Sequence, residues 1–479
     1  MVALNILHIL FAIVSMVLCV YAPQGYDAAY CQTIGWLFLA QNICYFASQG
    51  RKNLVGFELF FAIAFFFVNF CYPLFYYETN PRFAFFWMEW NHDVITRATA
   101  IAYMGYCWYV LGVQSYRLGQ VQSQRLGSGA EAPVEGSGPV WEISSGQYLY
   151  LFALTMVSLV AYVLLGGWRA LQNVYGGDGD LHTVGLYSYF YVIFTLSAGL
   201  MAIFVYRIRK VDWWFYLPTM GVVMVAILAT GSRTFVLGIM LILIVGWHNN
   251  VRQFRLWEIV AAVLAGTIAL FLLQQVRRHP VDEWMYIITH LETDNVLDIF
   301  EDLMIDGRNL YVLVDYGMRH AYTYLHGMII DIATPIPGLA KYVLRWYNEP
   351  YEVLSAQDFT TYLRLGENSH FGLGCNMIGD AFRSFGYVGT ALSMFGVGYI
   401  VQVSRRRMND SIYAYTIYYL MVSYSVFYNR AGILPPVRTL AWSLAILWGI
   451  KMLTEQPKVR EWIMLGIEKI EALEERIKR

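Results

Sequence analysis

Five arginines punctuate the ends of long apolar runs in this 479-residue chain. Arg233 lies in ATGSRTF, Arg277 and Arg278 close an apolar stretch, and Arg430 and Arg438 lie in YNRAG and PPVRTL. A guanidinium stays charged at any relevant pH and offers paired N–H donors that match phosphate oxygens. Singly, each is accounted for as an interfacial anchor whose head snorkels to water. As a group, Arg233, Arg277, Arg278, Arg430 and Arg438 are candidate ligands for a pyrophosphate. A second cluster is GENSHFGLGCNMIGDAFRSFGYVG at 366–389. His370 there is a candidate general base, because imidazole titrates near working pH. Glu367 is placed to orient it, and Glu367 or Asp380 could orient an acceptor hydroxyl. The plainer alternatives are a histidine bonded to loop backbone and an Asp380 salt bridge to Arg383 or Arg233. Asn368, Tyr322 and Trp346 are candidate sugar-facing groups, although core packing or interface anchoring explains most tyrosines of this region.

Other chemistries lack their motifs. There is no G-x-x-x-x-G-K-[ST] for nucleotide phosphates. No C-x-x-C occurs among the six cysteines, and acid pairs such as Glu301–Asp302 and Asp282–Glu283 read as solvated loop charge. Neither a metal nor a cofactor is expected.

The elements that must position these residues are membrane helices. Hydrophobic residues make up 58% of the chain and charged residues 14%, and mean hydropathy is +0.45. Soluble domains are about one-quarter charged, so an ordinary soluble enzyme is excluded. A net charge of −1 gives no sign of a nucleic-acid partner. Aromatic residues reach 17%, enough to anchor two membrane interfaces and to supply rings for stacking. Twelve apolar runs approach the roughly 20 residues needed to cross a bilayer. They lie near 2–21, 30–48, 54–77, 94–115, 147–166, 185–206, 214–231, 234–249, 257–275, 386–403, 412–428 and 438–453. The expected fold is all-α and polytopic, with helices 1–9 in 1–275, a partly helical outer loop at 276–385, helices 10–12 in 386–453, and an amphipathic cytoplasmic tail at 454–479. The first run lacks the basic start and cut site of a cleavable signal, so it is read as the first span.

With a cytoplasmic N-terminus, short inner loops hold 12 Lys and Arg against 6 outside. That bias places both termini inside and the 110-residue loop outside. Loops so long are usually functional. Its apolar stretch MIIDIATPIPG at 328–338 is suited to dip into the membrane surface. A flexible inner linker, containing GSGAEAPVEGSGP, is expected over 117–146.

Two of these motifs carry a family resemblance. The GSR tripeptide on a mid-chain span, and GLGCNMIGDAFRSFGYVG after a long outer loop, resemble the O-antigen (oligosaccharide repeat unit) polymerases of the Wzy type. In that family a pattern approximating G-x-G-x-x-x-I-x-E-x-[YF]-x-x-F-G-x-x-G follows the main periplasmic loop. Here Asp380 replaces the usual Glu and Phe382 holds the aromatic position. The resemblance implies a GT-C-like membrane glycosyltransferase of the bacterial inner membrane, with its active site facing the periplasm. Its substrate would be an undecaprenyl-pyrophosphate-linked oligosaccharide. A flippase and a chain-length regulator would be its partners in the bilayer. Arg233 then matches the family's GSR arginine, Asp380 the motif acid, and His370 the loop histidine of the related O-antigen ligases. A ligase-like transferase or a transporter of lipid-linked sugars are the alternatives. A transporter should show paired halves, and no internal repeat is found.

Overall fold

The computed structural model describes residues 2–50, 53–83, 86–125, 141, 143–167, 186–230, 232–276, 283–289, 297, 300–348, 351, 354–367, 369, 372–434 and 436–456. Among them the regular elements are helical, with no strand. In chain order the α-helices are α1 (Val2–Val20), α2 (Ala28–Ala47), α3 (Phe57–Asn69), α4 (Ile95–Arg125), α5 (Ser145–Tyr162) and α6 (Leu186–Phe204). Then come α7 (Trp213–Ala229), α8 (Arg233–Asn250), α9 (Leu256–Val276), α10 (Trp284–Thr289), α11 (Glu301–Met304) and α12 (Gly307–Arg319). The last six are α13 (His326–Ala333), α14 (Leu339–Trp346), α15 (Ala356–Leu365), α16 (Met377–Arg406), α17 (Ile412–Tyr424) and α18 (Val437–Glu455).

A helix covers each of the twelve expected apolar runs. Among the described residues four segments are long and apolar enough to cross a membrane: Ser145–Gly167, Leu186–Arg207, Lys210–Ala229 and Met377–Arg406. Leu4–Val20, Phe57–Asn69 and Leu256–Gly266 are shorter apolar helices. Two boundaries differ from expectation. Helix α4 continues to Arg125, past the expected linker start at 117, because YRLGQVQSQR is rich in good helix formers. Helix α16 begins within the expected loop and breaks at Gly386, the residue at which the span was expected to start. The Gly-Ser-rich centre of the linker and the tail beyond 456 lie outside the described residues.

The chain divides into two compact units that interleave along the sequence. The first comprises Met1–Gly138, Gln253–Arg407 and Tyr424–Arg438. Its axis is the pairing of α16 with α4. That pairing needs glycine: a Cβ on Gly112 would strike the Phe395 carbonyl oxygen, and one on Gly398 the Tyr109 carbonyl oxygen. Backbones therefore touch where side chains would hold them 8–10 Å apart. Beside this crossing, α3 contributes an aromatic core. Phe61 lies 4.7 Å from Tyr109, and Phe65 lies 5.1 Å from Tyr106. Such pairs add about 0.5–1.5 kcal/mol each beyond area burial. A good part of the aromatic excess thus goes into helix packing. The far end of α16 is tied down by a buried ion pair, Arg405 to Glu58 at 2.9 Å, with Arg405 also donating to the Asn53 carbonyl at 3.1 Å.

The second unit comprises Pro139–Arg252, Met408–Ser423 and Thr439–Arg479. Helix α5 starts in a capping box, Ser144 with Gln147, and packs along α6. Its buried Tyr148 donates to the Met201 carbonyl at 3.1 Å. The Arg207 guanidinium lies over the rings of Trp141 (5.3 Å) and Tyr415 (4.9 Å).

Candidate functional site

In the first unit, buried charge gathers where α12, α16 and the segment 427–433 meet. Asn376 starts α16: its Oδ1 accepts from Ile378 N (3.1 Å) and Gly379 N (3.2 Å), and its Nδ2 donates to Asn69 Oδ1 (2.9 Å). A cap of this kind is worth about 1 kcal/mol. One turn on, Asp380 accepts from Arg383 Nε at 2.8 Å and from Ile433 N at 2.9 Å. Both side chains of this pair are buried. The Arg383 guanidinium also lies over the Phe359 ring at 3.9 Å, a cation–π contact. Its Nη1 and Nη2 are buried and have no hydrogen-bond partner among the described residues. Gly327 on α13 makes room for Nη2, since a Cβ there would collide with it.

A second group adjoins the first through residues 373–376. Asp306 pairs with Arg430, and Asn309 donates to Asp306 Oδ1 (3.1 Å) and to the Leu373 carbonyl (2.7 Å). Cys375 N donates to the Arg430 carbonyl at 3.2 Å. Arg308 is fully buried and donates to Asn309 Oδ1 at 3.1 Å. Burial and the neighbouring Arg364 push its pKa down to about 10, against the opposing pull of Asp306. It remains a cation at neutral pH. Burial likewise lowers Arg364, with Glu89 opposing. On α13, burial and the negative charge of Asp380 push Asp331 up to about 6, with Arg383 opposing.

The cluster therefore holds two buried arginines, Arg308 and Arg383, and two partly buried ones, Arg364 and Arg430, with Asp306, Asp331, Asp358, Asp380 and Glu89 as the neighbouring acids. A buried cation without full compensation costs several kcal/mol. Such an arrangement suits an anionic ligand that can accept from several guanidinium groups at once.

Of the residues singled out from sequence, the structure brings Asp380 and Arg430 into this cluster. Tyr322 adjoins it at the α16 break, where a Cβ on Gly386 would meet its hydroxyl. Glu367 is exposed in the turn after α15. Trp346 is 86% exposed at the end of α14. Arg438 is exposed in the first turn of α18. Arg233 is half-buried in the second unit, as the first residue of α8. His370, Asn368, Arg277 and Arg278 lie outside the described residues. Among the described residues no group of three or more His, Cys, Asp or Glu is placed to hold a metal ion.

Sequence reasoning missed Arg308, Arg364, Asp306, Asn309 and Asp331, and treated Arg383 only as a partner for Asp380. The available signal was the polar run DGRN at 306–309 between apolar LMI and LYVLV. Placed inside an apolar helix, such groups must find partners.

Comparison with protein-family models, curated proteins and solved structures yields no match.

Proposed function

We propose that this protein is a twelve-span membrane glycosyltransferase of the bacterial inner membrane. It polymerises undecaprenyl-pyrophosphate-linked oligosaccharide repeat units on the periplasmic face, for O-antigen, capsule or exopolysaccharide synthesis. The observation that supports this most is the buried Arg383, held to Asp380 through Nε with both Nη atoms lacking a hydrogen-bond partner among the described residues, beside the buried Arg308. In the reaction, the bond from the donor sugar's anomeric carbon to the pyrophosphate oxygen breaks. A bond to the acceptor hydroxyl oxygen of the incoming unit forms. Negative charge develops on the departing lipid pyrophosphate, and fixed guanidinium groups stabilise it with no metal. The acceptor proton passes to a base, for which His370 and Glu367 are the candidates. Both Asp380 oxygens are already engaged by Arg383 and Ile433 N, which favours positioning the Arg383 guanidinium as the role of this acid. Arg233, Arg277, Arg278 and Arg438 are further candidate pyrophosphate ligands, and Asn368, Tyr322 and Trp346 candidate glycan contacts.

A polyprenyl tail needs an apolar channel. One cavity of about 580 Å³ lies between α2 and α3, lined by Trp36, Leu39, Ile63, Phe66, Phe67 and Phe75 among others. The same helix α3 ends in Asn69, the partner of Asn376 at the head of α16.

The test is reconstitution of the full chain in proteoliposomes with lipid-linked repeat units, resolved on a gel. A ladder of lengthened lipid-linked glycan is the expected outcome. A single transfer to a different acceptor would favour the ligase reading. Movement of substrate across the bilayer with no new glycosidic bond would favour a transporter.

A further inference from the structure

Between α12 and α15 the chain forms a helical hairpin, α13 and α14, joined by the turn TPIPG. Gly338 takes φ +82 in that turn, and the rings of His326 and Tyr347 lie 5.9 Å apart across the open end. One side faces inward, with Gly327, Met328, Ile330 and Ala333 buried. The other side is apolar and open: Ile332 is 59% exposed and Ile336 60%. Helix α14 has no buried residue at all. By helical period, Leu339, Tyr342, Val343 and Trp346 share one stripe, and Lys341 and Arg345 share the opposite one. Tyr342 is 69% exposed and Trp346 86%. Leu339 and Val343 are half-buried, whereas Tyr342 and Trp346 are left uncovered among the described residues, and water is a poor solvent for their rings.

A second observation says where the hairpin sits. Thr323 N donates to the Arg383 carbonyl (3.1 Å), Tyr324 N donates to the Ser384 carbonyl (2.9 Å), and the Tyr322 hydroxyl abuts Gly386. These contacts pin the root of the hairpin to the break in α16. Just past the break, that candidate span turns Val388 (71% exposed) and Leu392 (61%) outward. The hairpin thus leaves the protein at the level where α16 begins its lipid-facing stretch.

We infer that the α13–α14 hairpin is a membrane-surface anchor lying in the lipid interface where α16 enters the bilayer. Tyr342 and Trp346 sink to the boundary between headgroups and acyl chains, where amphipathic rings are most stable. Ile332 and Ile336 go with them. Lys341 and Arg345 stay toward water and lipid phosphates, as on other interfacial helices, whose apolar face enters by roughly 5–10 Å. Lipid is favoured over a second protein because the hairpin is rooted at the break after which α16, a candidate span, turns Val388 and Leu392 outward. This role is independent of the polymerase reading, and it gives Trp346 a use other than stacking on sugar.

The test places an environment-sensitive fluorophore on single cysteines at 341, 342, 345 and 346 of the full chain in nanodiscs. The unmodified chain sets the background, since its own cysteines are buried or half-buried. With lipids brominated in the acyl chains, emission from 342 and 346 should be blue-shifted and strongly quenched, and emission from 341 and 345 much less so. Equal quenching at all four positions, or water-like emission at 342 and 346, would overturn the inference. Protection of 342 and 346 that appears only with added glycan would overturn it as well. Tyr342→Cys and Trp346→Cys report separately, so a folding defect in one leaves the other to decide.

Discussion

Arg383 and Asp380 are bonded one turn apart on α16, both buried, while both Arg383 Nη atoms lack a hydrogen-bond partner among the described residues. The pair is therefore half of an arrangement: the acid fixes the guanidinium through Nε and leaves its fork for something else. This geometry separates two effects that a substitution at either residue would otherwise mix.

Asp380→Asn removes the charge and strands a buried guanidinium, so stability should fall by about 3–5 kcal/mol. Thermal unfolding in detergent measures it. The double variant Asp380→Asn with Arg383→Met should recover part of the loss, because no isolated charge remains. If Asp380→Asn left unfolding unchanged, the pair would have no structural weight.

Arg233→Ala should abolish chain extension while leaving thermal unfolding close to that of the parent. Arg233 is half-buried and is the first residue of α8, at a helix end that favours anions. Arg233→Lys should restore activity only in part, since an ammonium makes no bidentate contact. A normal ladder from the Ala variant would leave Arg233 a simple anchor.

Asp331 predicts a pH dependence of stability. Its pKa in the fold is about 6, against roughly 3.9 for a free aspartate. The native state therefore holds the proton more tightly. The stabilising contribution is complete below about pH 4 and is lost as pH rises through 6. The charged groups acting on it are Asp380 and Asp358, which raise its pKa, and Arg383, which lowers it. Asp331→Asn should flatten the decline between pH 4 and 6. An identical slope in parent and variant would show that Asp331 is not the group responsible.

Gly386→Ala should destabilise the fold by about 1–3 kcal/mol, because φ +65 with ψ −154 is a region open to glycine and strained for other residues. Chemical denaturation in mixed micelles reports the loss. Adding Tyr322→Ala should relieve only the collision with the new Cβ, so recovery should be incomplete. Full recovery would mean that crowding, not backbone strain, requires the glycine.

The helical class and the placement of helices were legible because apolar runs near membrane length have few other readings. The break at Gly386 falls at the residue where a span was expected to start. The candidate site was legible only in part. Asp380 and Arg430 stood out as charges beside apolar helix. Arg308 did not, because it looks like any loop arginine until α12 is seen to be buried on nearly every side. The bases counted as topology signals also carry other duties: Arg405 is held by Glu58 and Asn53 and is fixed by packing. Charge counts along a chain cannot distinguish a buried partner from a free headgroup contact.

The break at Gly386 also bears on biogenesis. Residues 387–406 rise roughly 30 Å as a helix, which equals the hydrocarbon thickness of a bilayer. The preceding turns carry Asp380 and Arg383 and are too polar to enter lipid alone. A straight thirty-residue helix would offer the insertion machinery two competing registers, one of which drags that pair into the acyl chains. By turning the chain at 386, the glycine would mark the start of the stretch that partitions into lipid in this candidate span. The membrane can then be crossed in a single register before the ion pair has met its partners.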